Sequence, residues 1–328
     1  MNARIVQAVA AALALALLLS LPAWIPNSYY LRIATETLYW AIFALALNVL
    51  VGYAGLVSLG HAGLFGIAGY TAALLLEAKF GHLTAGLAAI AVTLLTTAVY
   101  AVLALRSTGI GFLMITLALG QILWGIAYRW ASLTHGDNGV NVRSAPSPFG
   151  VDLSQPETFY YLTLAVLILA LASMATFVRS PFGASVRGTR DQARRMTALG
   201  YNVWLIRFLA FMLSGFWTGI AGLLYLYHKQ FISPQVVGLQ SSAEILLMVI
   251  SGGTATLFGP IAGSIIVVVM KNIVSAYVER WNLVLGVIFV AIITFMPEGL
   301  VPGTARLCRM GWQAFRRGAP APTKGEAP

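Results

Sequence analysis

The chain has 328 residues, of which 59% are hydrophobic and 9% are charged, and its formal net charge is +10. Soluble domains carry roughly 25% charged residues. This chain therefore cannot cover itself with a water-facing surface, and lipid must surround most of it. Its basic residues lie between apolar runs and in the C-terminal tail, which favours orientation in a membrane over binding to nucleic acid. The single cysteine, Cys308, excludes an intramolecular disulfide and offers no paired ligands for a metal.

Apolar runs of the length that crosses a bilayer follow one another along the chain. They predict ten transmembrane helices, at about 5–25, 33–51, 56–77, 83–105, 109–130, 158–178, 203–227, 242–257, 260–278 and 282–297. The first run resembles the apolar part of a signal peptide, but no clear A-x-A cleavage site follows it, so a retained helix is favoured. The sequence thus predicts an all-α, polytopic membrane helix bundle over 1–305. A basic, Pro/Ala-rich cytoplasmic tail, expected to be disordered, follows over 306–328.

The distribution of Lys and Arg orients the predicted bundle. With the N-terminus inside and ten crossings, 13 of the 20 basic residues fall on the cytoplasmic side. Six of these lie between Arg179 and Arg207, and five lie beyond residue 305. Both termini and the segment 179–202 are therefore predicted to be cytoplasmic, and the long loop 131–157 is predicted to lie outside.

The segment 179–202 has the pattern of a short amphipathic helix. Ser180 and Pro181 form a typical helix start, and Gly200 is a typical stop. Apolar or small residues recur at three- and four-residue spacing, namely Val186, Thr189, Ala193, Met196 and Leu199, while Arg187, Arg190, Asp191, Arg194 and Arg195 occupy other positions. Such a helix either lies on anionic lipid or docks into a groove of a soluble partner.

Four blocks, in chain order, resemble the permeases of branched-chain amino acid importers (the LivM/LivH type). They are NVLVGYAG with SLGHAGLFGIAGY (48–55, 58–70), STGIGFLMITLA (107–118), RSPFGASVR with ALGYN and FLAF (179–187, 198–202, 208–211), and EILLMV with LFGPIAG (244–249, 257–263). In that family the third block contacts the ATP-binding subunit. The resemblance, together with the helix pattern, predicts coupling residues at Ser180, Pro181, Phe182, Gly183, Arg187, Asp191, Ala193, Leu199 and Gly200.

The resemblance implies the permease subunit of an ATP-binding-cassette importer in a bacterial inner membrane, moving branched-chain amino acids or similar small solutes into the cytoplasm. Its implied partners are a homologous permease subunit, two ATP-binding subunits, an extracytoplasmic solute-binding protein and membrane lipid. The four lysines follow alanine, histidine, methionine and threonine, so the sequence contains no G-x-x-x-x-G-K-[ST] phosphate loop. We therefore expect no enzyme activity and no cofactor on this chain, with ATP and Mg bound by partner subunits.

Three alternatives remain open from the residues. A permease of the same type could carry urea, amides or aromatic acids. An ion-coupled secondary transporter would need acidic residues within the membrane, and Glu244 is a marginal candidate. A membrane enzyme would need a catalytic constellation, and the sequence shows no carboxylate pair, Ser/His/Asp set or His/Cys cluster at a credible spacing.

Small residues within the predicted helices indicate close helix packing. The glycines concerned are Gly60, Gly63, Gly66, Gly69, Gly215, Gly219, Gly259 and Gly263. They predict that the third, eighth and ninth helices pack tightly around a centre that moves. The tripeptide LFG recurs at 64–66 and 257–259, and five helices stand on each side of the outer loop, which suggests two inverted five-helix halves.

Polar residues at membrane depth usually face a partner or a cavity. The candidates for the translocation pathway are Asn48, Ser58, His61, Thr116, Gln121 and Glu244. A packing role is the alternative for His61, and a structural role near the outer interface is the alternative for Glu244.

Overall fold

The computed structural model describes residues 16–24, 27–142, 153, 155–275, 277–278, 281–296 and 299–303, and it is an all-α membrane bundle. Its helices are α1 (16–24), α2 (Ser28–Asn48), α3 (His61–Glu77), α4 (His82–Ala104), α5 (Ile110–Arg129), α6 (Ala131–Thr134), α7 (Pro156–Arg179), α8 (Pro181–Ala198), α9 (Val203–Lys229), α10 (Leu239–Gly252), α11 (Gly259–Val269) and α12 (Trp281–Phe295). π-helical turns extend α2 through Val49–Ala54 and α11 through Met270–Val274. Short 3-10 turns occupy Gly136–Asn138 and Pro234–Val237. The predicted tail, the start of the first run and part of the loop 131–157 lie outside the described residues.

Within the described part of the chain, a helix occupies each of the ten predicted runs. Five helices there are long and apolar enough to cross a membrane: Ser28–Ala54, His82–Ala104, Ile110–Arg129, Pro156–Arg179 and Val203–Lys229. Two shorter apolar helices follow at Leu239–Gly252 and Gly259–Val274. The membrane bundle is confirmed, whereas the count of ten spans stays a prediction.

Three predicted helix boundaries are wrong by five residues. The second helix is predicted from residue 33, but α2 begins at Ser28. The third helix was expected from residue 56, but residues 56–60 are not helical and α3 begins at His61. The eighth was expected to reach residue 257, but α10 ends at Gly252. Gly55 and Gly253 have φ angles of +69° and +117°, and each interrupts the right-handed helix in a conformation that favours glycine.

The two LFG tripeptides occupy different settings. Leu64 and Phe65 are fully buried inside α3, whereas Leu257 and Phe258 form the turn before α11 and Phe258 is 55% exposed. This repeat therefore gives no support to the two inverted halves, which stay a prediction.

Helix α2 is the centre of the bundle. Of its most apolar 18-residue stretch, 94% is buried, against 33% for α4, 22% for α5 and 28% for α7. It packs against α7, α9 and α11, and its Phe43 stacks on Phe65 of α3 with ring centroids 4.8 Å apart. The large apolar side chains that α4, α5 and α7 expose suit contact with lipid.

Helices α10 and α11 pack on each other and on α2, while α3 packs chiefly on α4 and α9. The predicted third, eighth and ninth helices correspond to α3, α10 and α11. Because α3 packs chiefly elsewhere, the prediction that α3 and α11 pack tightly together is incorrect. All eight glycines predicted to pack helices lie where a Cβ atom would contact another residue of the chain. The nearest atoms belong to Thr116 for Gly60, Leu123 for Gly63, Val237 for Gly66, Ile232 for Gly69, Thr97 for Gly215, Thr93 for Gly219, Thr256 for Gly259 and Met248 for Gly263.

The two ends of the bundle differ. Helix α8 lies at one end, which we call the α8 end. Strands β1 (Val140–Asn141) and β2 (Phe231–Ile232) pair antiparallel. They lie at the opposite end of the bundle from α8, since α9 begins after α8 and ends just before β2. We call this end the sheet end.

Candidate functional site

A tight, capped turn joins α7 to α8. The Gly183 amide donates to Oγ of Ser180 at 3.0 Å, and Pro181 occupies the first turn, where no backbone donor is missed. The Ser180 hydroxyl itself donates to the Phe177 carbonyl at 2.7 Å. Phe182 packs edge-on against Phe177 with centroids 5.6 Å apart. A Cβ at Gly183 would collide with the Phe177 carbonyl, so the helix can start this close to α7 only with glycine there.

Helix α8 is bent, which corrects the prediction of one continuous amphipathic face. Gln192 has φ −150° and ψ 83°, values that break the helix in its second half. Before the bend, Val186 and Thr189 are fully buried in the bundle. After it, Ala193 is half-buried and Leu199 is 66% exposed. The apolar and small residues of this helix are therefore divided. Those before the bend pack in the chain's own bundle, and Leu199 lies on the exterior surface.

The end of α8 is also exposed. Gly200 has a φ of +87° and closes the helix, as predicted for a stop. The side chain of Asp191 is 63% exposed and pairs with Nε of Arg190 at 2.9 Å.

Three arginines donate hydrogen bonds to main-chain carbonyls near helix ends or bends, and Arg190 does so while part of its side chain stays exposed. Arg187 donates to Val178 at 2.7 Å, Arg190 donates to Gly52 at 2.7 Å, and Arg207 of α9 donates to Thr189 at 3.3 Å. Carbonyls in the last turn of a helix lack intrahelical partners, and a nearby cation satisfies them. The sequence does not single out Arg190 or Arg207 as site residues, because spacing alone cannot show which carbonyls lie within reach.

A buried hydrogen-bonded network surrounds His61 at the start of α3. Its Nδ1 lies 2.8 Å from Oγ of Ser58, and its Nε2 lies 3.1 Å from Oγ of Ser214 on α9. The Ser214 hydroxyl donates to the Ala46 carbonyl at 2.6 Å, so Nε2 of His61 must be the donor to Ser214. In the neutral imidazole, Nδ1 then accepts from the Ser58 hydroxyl. The His61 side chain thereby joins α2, α3 and α9.

Hydroxyl groups satisfy the amides around the non-helical segment 56–60. Leu59 donates to Oγ1 of Thr116 at 3.3 Å, and Ala62 donates to Oγ of Ser242 on α10 at 3.3 Å. Irregular backbone is tolerated at membrane depth when protein groups satisfy it in this way. Thr116 and Ser58 thus belong to one network, and Ser214 and Ser242 are members that the sequence did not single out.

Asn48 ties α2 to the turn between α10 and α11. Its Nδ2 donates to the Thr256 carbonyl at 2.8 Å, and its Oδ1 accepts from the Ala255 amide at 3.0 Å. Gln121, the remaining uncharged candidate, is half-buried on α5.

Two carboxylates are paired with lysines on the side of the bundle towards the sheet end. Glu244 is 6% exposed, with its Oε2 3.0 Å from Nζ of Lys271 and its Oε1 3.2 Å from the Gln240 amide. Glu36, which the sequence pattern does not single out, is 8% exposed, and its Oε2 lies 2.8 Å from Nζ of Lys229. Lysine pairing compensates the cost of burying each carboxylate. Beside the second pair an open cavity of about 220 Å³ lies between α2, α7 and α9, lined by Arg32, Phe159 and His228.

Comparisons with known proteins show the family of the chain. Residues 29–293 match the family described as "Branched-chain amino acid transport system / permease component". The chain is 30% identical to the high-affinity branched-chain amino acid transport system permease protein LivM of Escherichia coli strain K12, over 83% of this chain and 70% of the relative. The LivM protein of Salmonella typhimurium strain LT2 is 29% identical over the same shares. The LivH permease protein of that organism is 20% identical, over 80% of this chain and 91% of the relative. Since the family match covers most of the chain, this protein belongs to the permease components of branched-chain amino acid transport systems.

Proposed function

We propose that this chain is the membrane-spanning permease subunit of an ATP-driven importer of branched-chain amino acids. It would lie in a bacterial inner membrane with ten spans, and with both termini and α8 in the cytoplasm. The substrate class is the one for which its LivM and LivH relatives are named. The clusters of Lys and Arg between 179 and 207 and beyond 305 support the orientation.

The observation that carries the proposal is the divided surface of α8. Val186 and Thr189 fasten the first part of the helix to the bundle, while Leu199 projects outward after the bend. An element with one part fixed in the permease and one part exposed is suited to receive movement from a soluble partner. The partner we propose is an ATP-binding subunit, with ATP and Mg bound there.

The remaining parts of the assembly would be a second, homologous permease subunit, a second ATP-binding subunit and an extracytoplasmic solute-binding protein. Closure of the ATP-binding subunits would press on α8, and the two permease subunits would then alternate between outward and inward openings. The permease chain purified alone should hydrolyse no ATP, and hydrolysis by that preparation would contradict this assignment.

The test of docking is recovery of the ATP-binding subunit with variants of α8. Leu199→Asp should lose the subunit, because docking would bury an unpaired carboxylate. Arg194→Ala is the matched control on the same exposed segment and should retain it. If α8 instead anchors to lipid, Arg194→Ala should weaken membrane contact while Leu199→Asp keeps its partner. Full recovery of the subunit and normal uptake in Leu199→Asp would contradict the coupling role.

A second experiment separates the alternative substrates and energy sources. Uptake of radioactive leucine by the reconstituted complex should require ATP and should be competed by isoleucine and valine, and not by urea, amides or aromatic acids. An ion-coupled transporter would lose uptake on addition of an ionophore while ATP is still present. That outcome would overturn the ATP-driven assignment.

A further inference from the structure

Arg190 crosses from α8 to the last turn of α2. Its Nη1 donates to the Gly52 carbonyl at 2.7 Å, and its Nε contacts the Asp191 carboxylate at 2.9 Å. The aliphatic part of the side chain lies against Gly55, where a Cβ atom would approach Cγ of Arg190 to 2.5 Å. One guanidinium group therefore connects two separate elements of the α8 end.

The Gly52 carbonyl belongs to the end of the π-helical turn of α2. The backbone amides of Gly55 and Leu56, which follow the π-helical turn, both donate to the Leu50 carbonyl and not to that of Gly52. A cation at the end of a helix also interacts favourably with the helix dipole. Arg190 thus caps α2 from a different helix.

The same turn of α2 is fixed to the turn between α10 and α11. A Cβ at Gly52 would overlap the Ala255 amide nitrogen and Oδ1 of Asn48, so these groups lie in direct contact with the helix. Asn48 bonds both Ala255 and Thr256. The α10–α11 turn is itself braced, because Oγ1 of Thr256 donates to Gly253 at 2.7 Å and accepts from Gly259 at 3.0 Å.

We propose that Arg190 is a positioning residue that makes α8, the end of α2 and the α10–α11 turn move as one unit. This inference rests on the proposed function, in which α8 receives movement from the ATP-binding subunit. Displacement of α8 would pull on the Gly52 carbonyl, and Asn48 would carry the displacement into α10 and α11. Arginine suits this role because its planar group can bond Asp191 and Gly52 from different nitrogens, which a lysine cannot reproduce.

The first test measures uptake and ATP hydrolysis together in the reconstituted complex. Arg190→Gln should lower the number of leucine molecules taken up per ATP about fivefold or more, while the ATP-binding subunit stays bound. Arg190→Lys should show an intermediate ratio, and Arg194→Gln, which removes an exposed charge from the same helix, should keep the wild-type ratio. If Arg190 only stabilised the fold, uptake and hydrolysis would fall in parallel and their ratio would stay constant, which would overturn the proposal.

The second test does not depend on an Arg190 variant. Spin labels at the exposed positions Ala184 and Thr254, in a Cys308→Ser background, report the distance between α8 and the α10–α11 turn. That distance should be the same with and without bound nucleotide, and a nucleotide-dependent change would overturn the rigid connection. Absence of ATP-dependent uptake in the wild-type complex would overturn the proposed function as well. Normal wild-type uptake with an unchanged ratio in Arg190→Gln would overturn only the role of Arg190.

Discussion

Nε2 of His61 lies 3.1 Å from Oγ of Ser214, and both side chains are fully buried. This hydrogen bond joins the first turn of α3 to the middle of α9, and Ser214 extends it to the Ala46 carbonyl of α2. In lipid, association of helices depends on packing and on such interhelical hydrogen bonds. The pair therefore holds together the three helices around which the rest of the bundle is arranged.

Ser214→Ala should leave the Nε2 donor of His61 buried without an acceptor. We expect a loss of about 1–3 kcal/mol in the free energy of unfolding, measured as a lower midpoint of thermal unfolding in detergent. Thr96→Ala is the control, since the Thr96 hydroxyl bonds to Val92 within the exposed face of α4. Equal midpoints for the two variants would show that the His61 network adds nothing to stability.

The glycines of α9 should differ in their tolerance of a methyl group. A Cβ at Gly215 would overlap the side chain of Thr97, whereas a Cβ at Gly219 would lie 3.1 Å from Cγ2 of Thr93. Gly215→Ala should therefore lower the free energy of unfolding by about 1–3 kcal/mol, and Gly219→Ala should lower it by less. Replacing Gly215 with leucine should be more severe than either.

The control for this series is Gly86 of α4, where a Cβ would meet nothing within 4 Å. Gly86→Ala should be neutral or stabilising by up to about 1 kcal/mol, because alanine favours a helix. Adding Thr97→Ala should recover part of the loss in Gly215→Ala. Equal thermal midpoints for Gly215→Ala and Gly86→Ala would mean that α9 and α4 do not meet at this point.

Removing the charge of Lys229 and removing the charge of Glu36 should have unequal effects on stability. The side chain of Glu36 is 11% exposed and that of Lys229 is 39% exposed, so a lone lysine can reach water and a lone carboxylate cannot. Lys229→Met should therefore lower the free energy of unfolding by about 1–3 kcal/mol, and Glu36→Gln should lower it by less. The exposed pair of His135 and Glu77, 3.6 Å apart, is the control. Glu77→Gln should change stability by less than about 0.5 kcal/mol. A larger loss for Glu36→Gln than for Lys229→Met would refute the argument.

Thiol labelling should place the two ends of the bundle on opposite sides of the membrane. Asn141 in β1 and Gln192 in α8 are both exposed, so accessibility there depends on the membrane and not on packing. With Cys308 replaced by serine, a cysteine at Asn141 should react with an impermeant reagent in intact cells. A cysteine at Gln192 should react only after permeabilisation. The reverse result would invert the proposed orientation.

The sequence by itself determined the class of protein and its family. A charged fraction of 9% leaves too few groups for a water-facing surface, and the four ordered blocks from Asn48 to Gly263 lie within the region that matches the permease family. The predicted helix runs were placed to within a few residues at most ends, because lipid requires long apolar segments with their backbone bonds satisfied internally. The boundaries failed at Gly55 and Gly253, where glycine ends a helix inside an apolar run.

Only the tertiary structure decided which polar groups act together. Asn48 and His61 could be selected from the sequence as polar residues in apolar helices, but their partners Thr256 and Ser214 are 208 and 153 residues away. The pattern of α8 predicted an amphipathic helix, yet whether its arginines meet water or carbonyls depends on where α2 ends. Periodicity specifies which face of a helix is apolar, whereas the contact from Arg190 to Gly52 depends on the packing of two helices 138 residues apart in the chain.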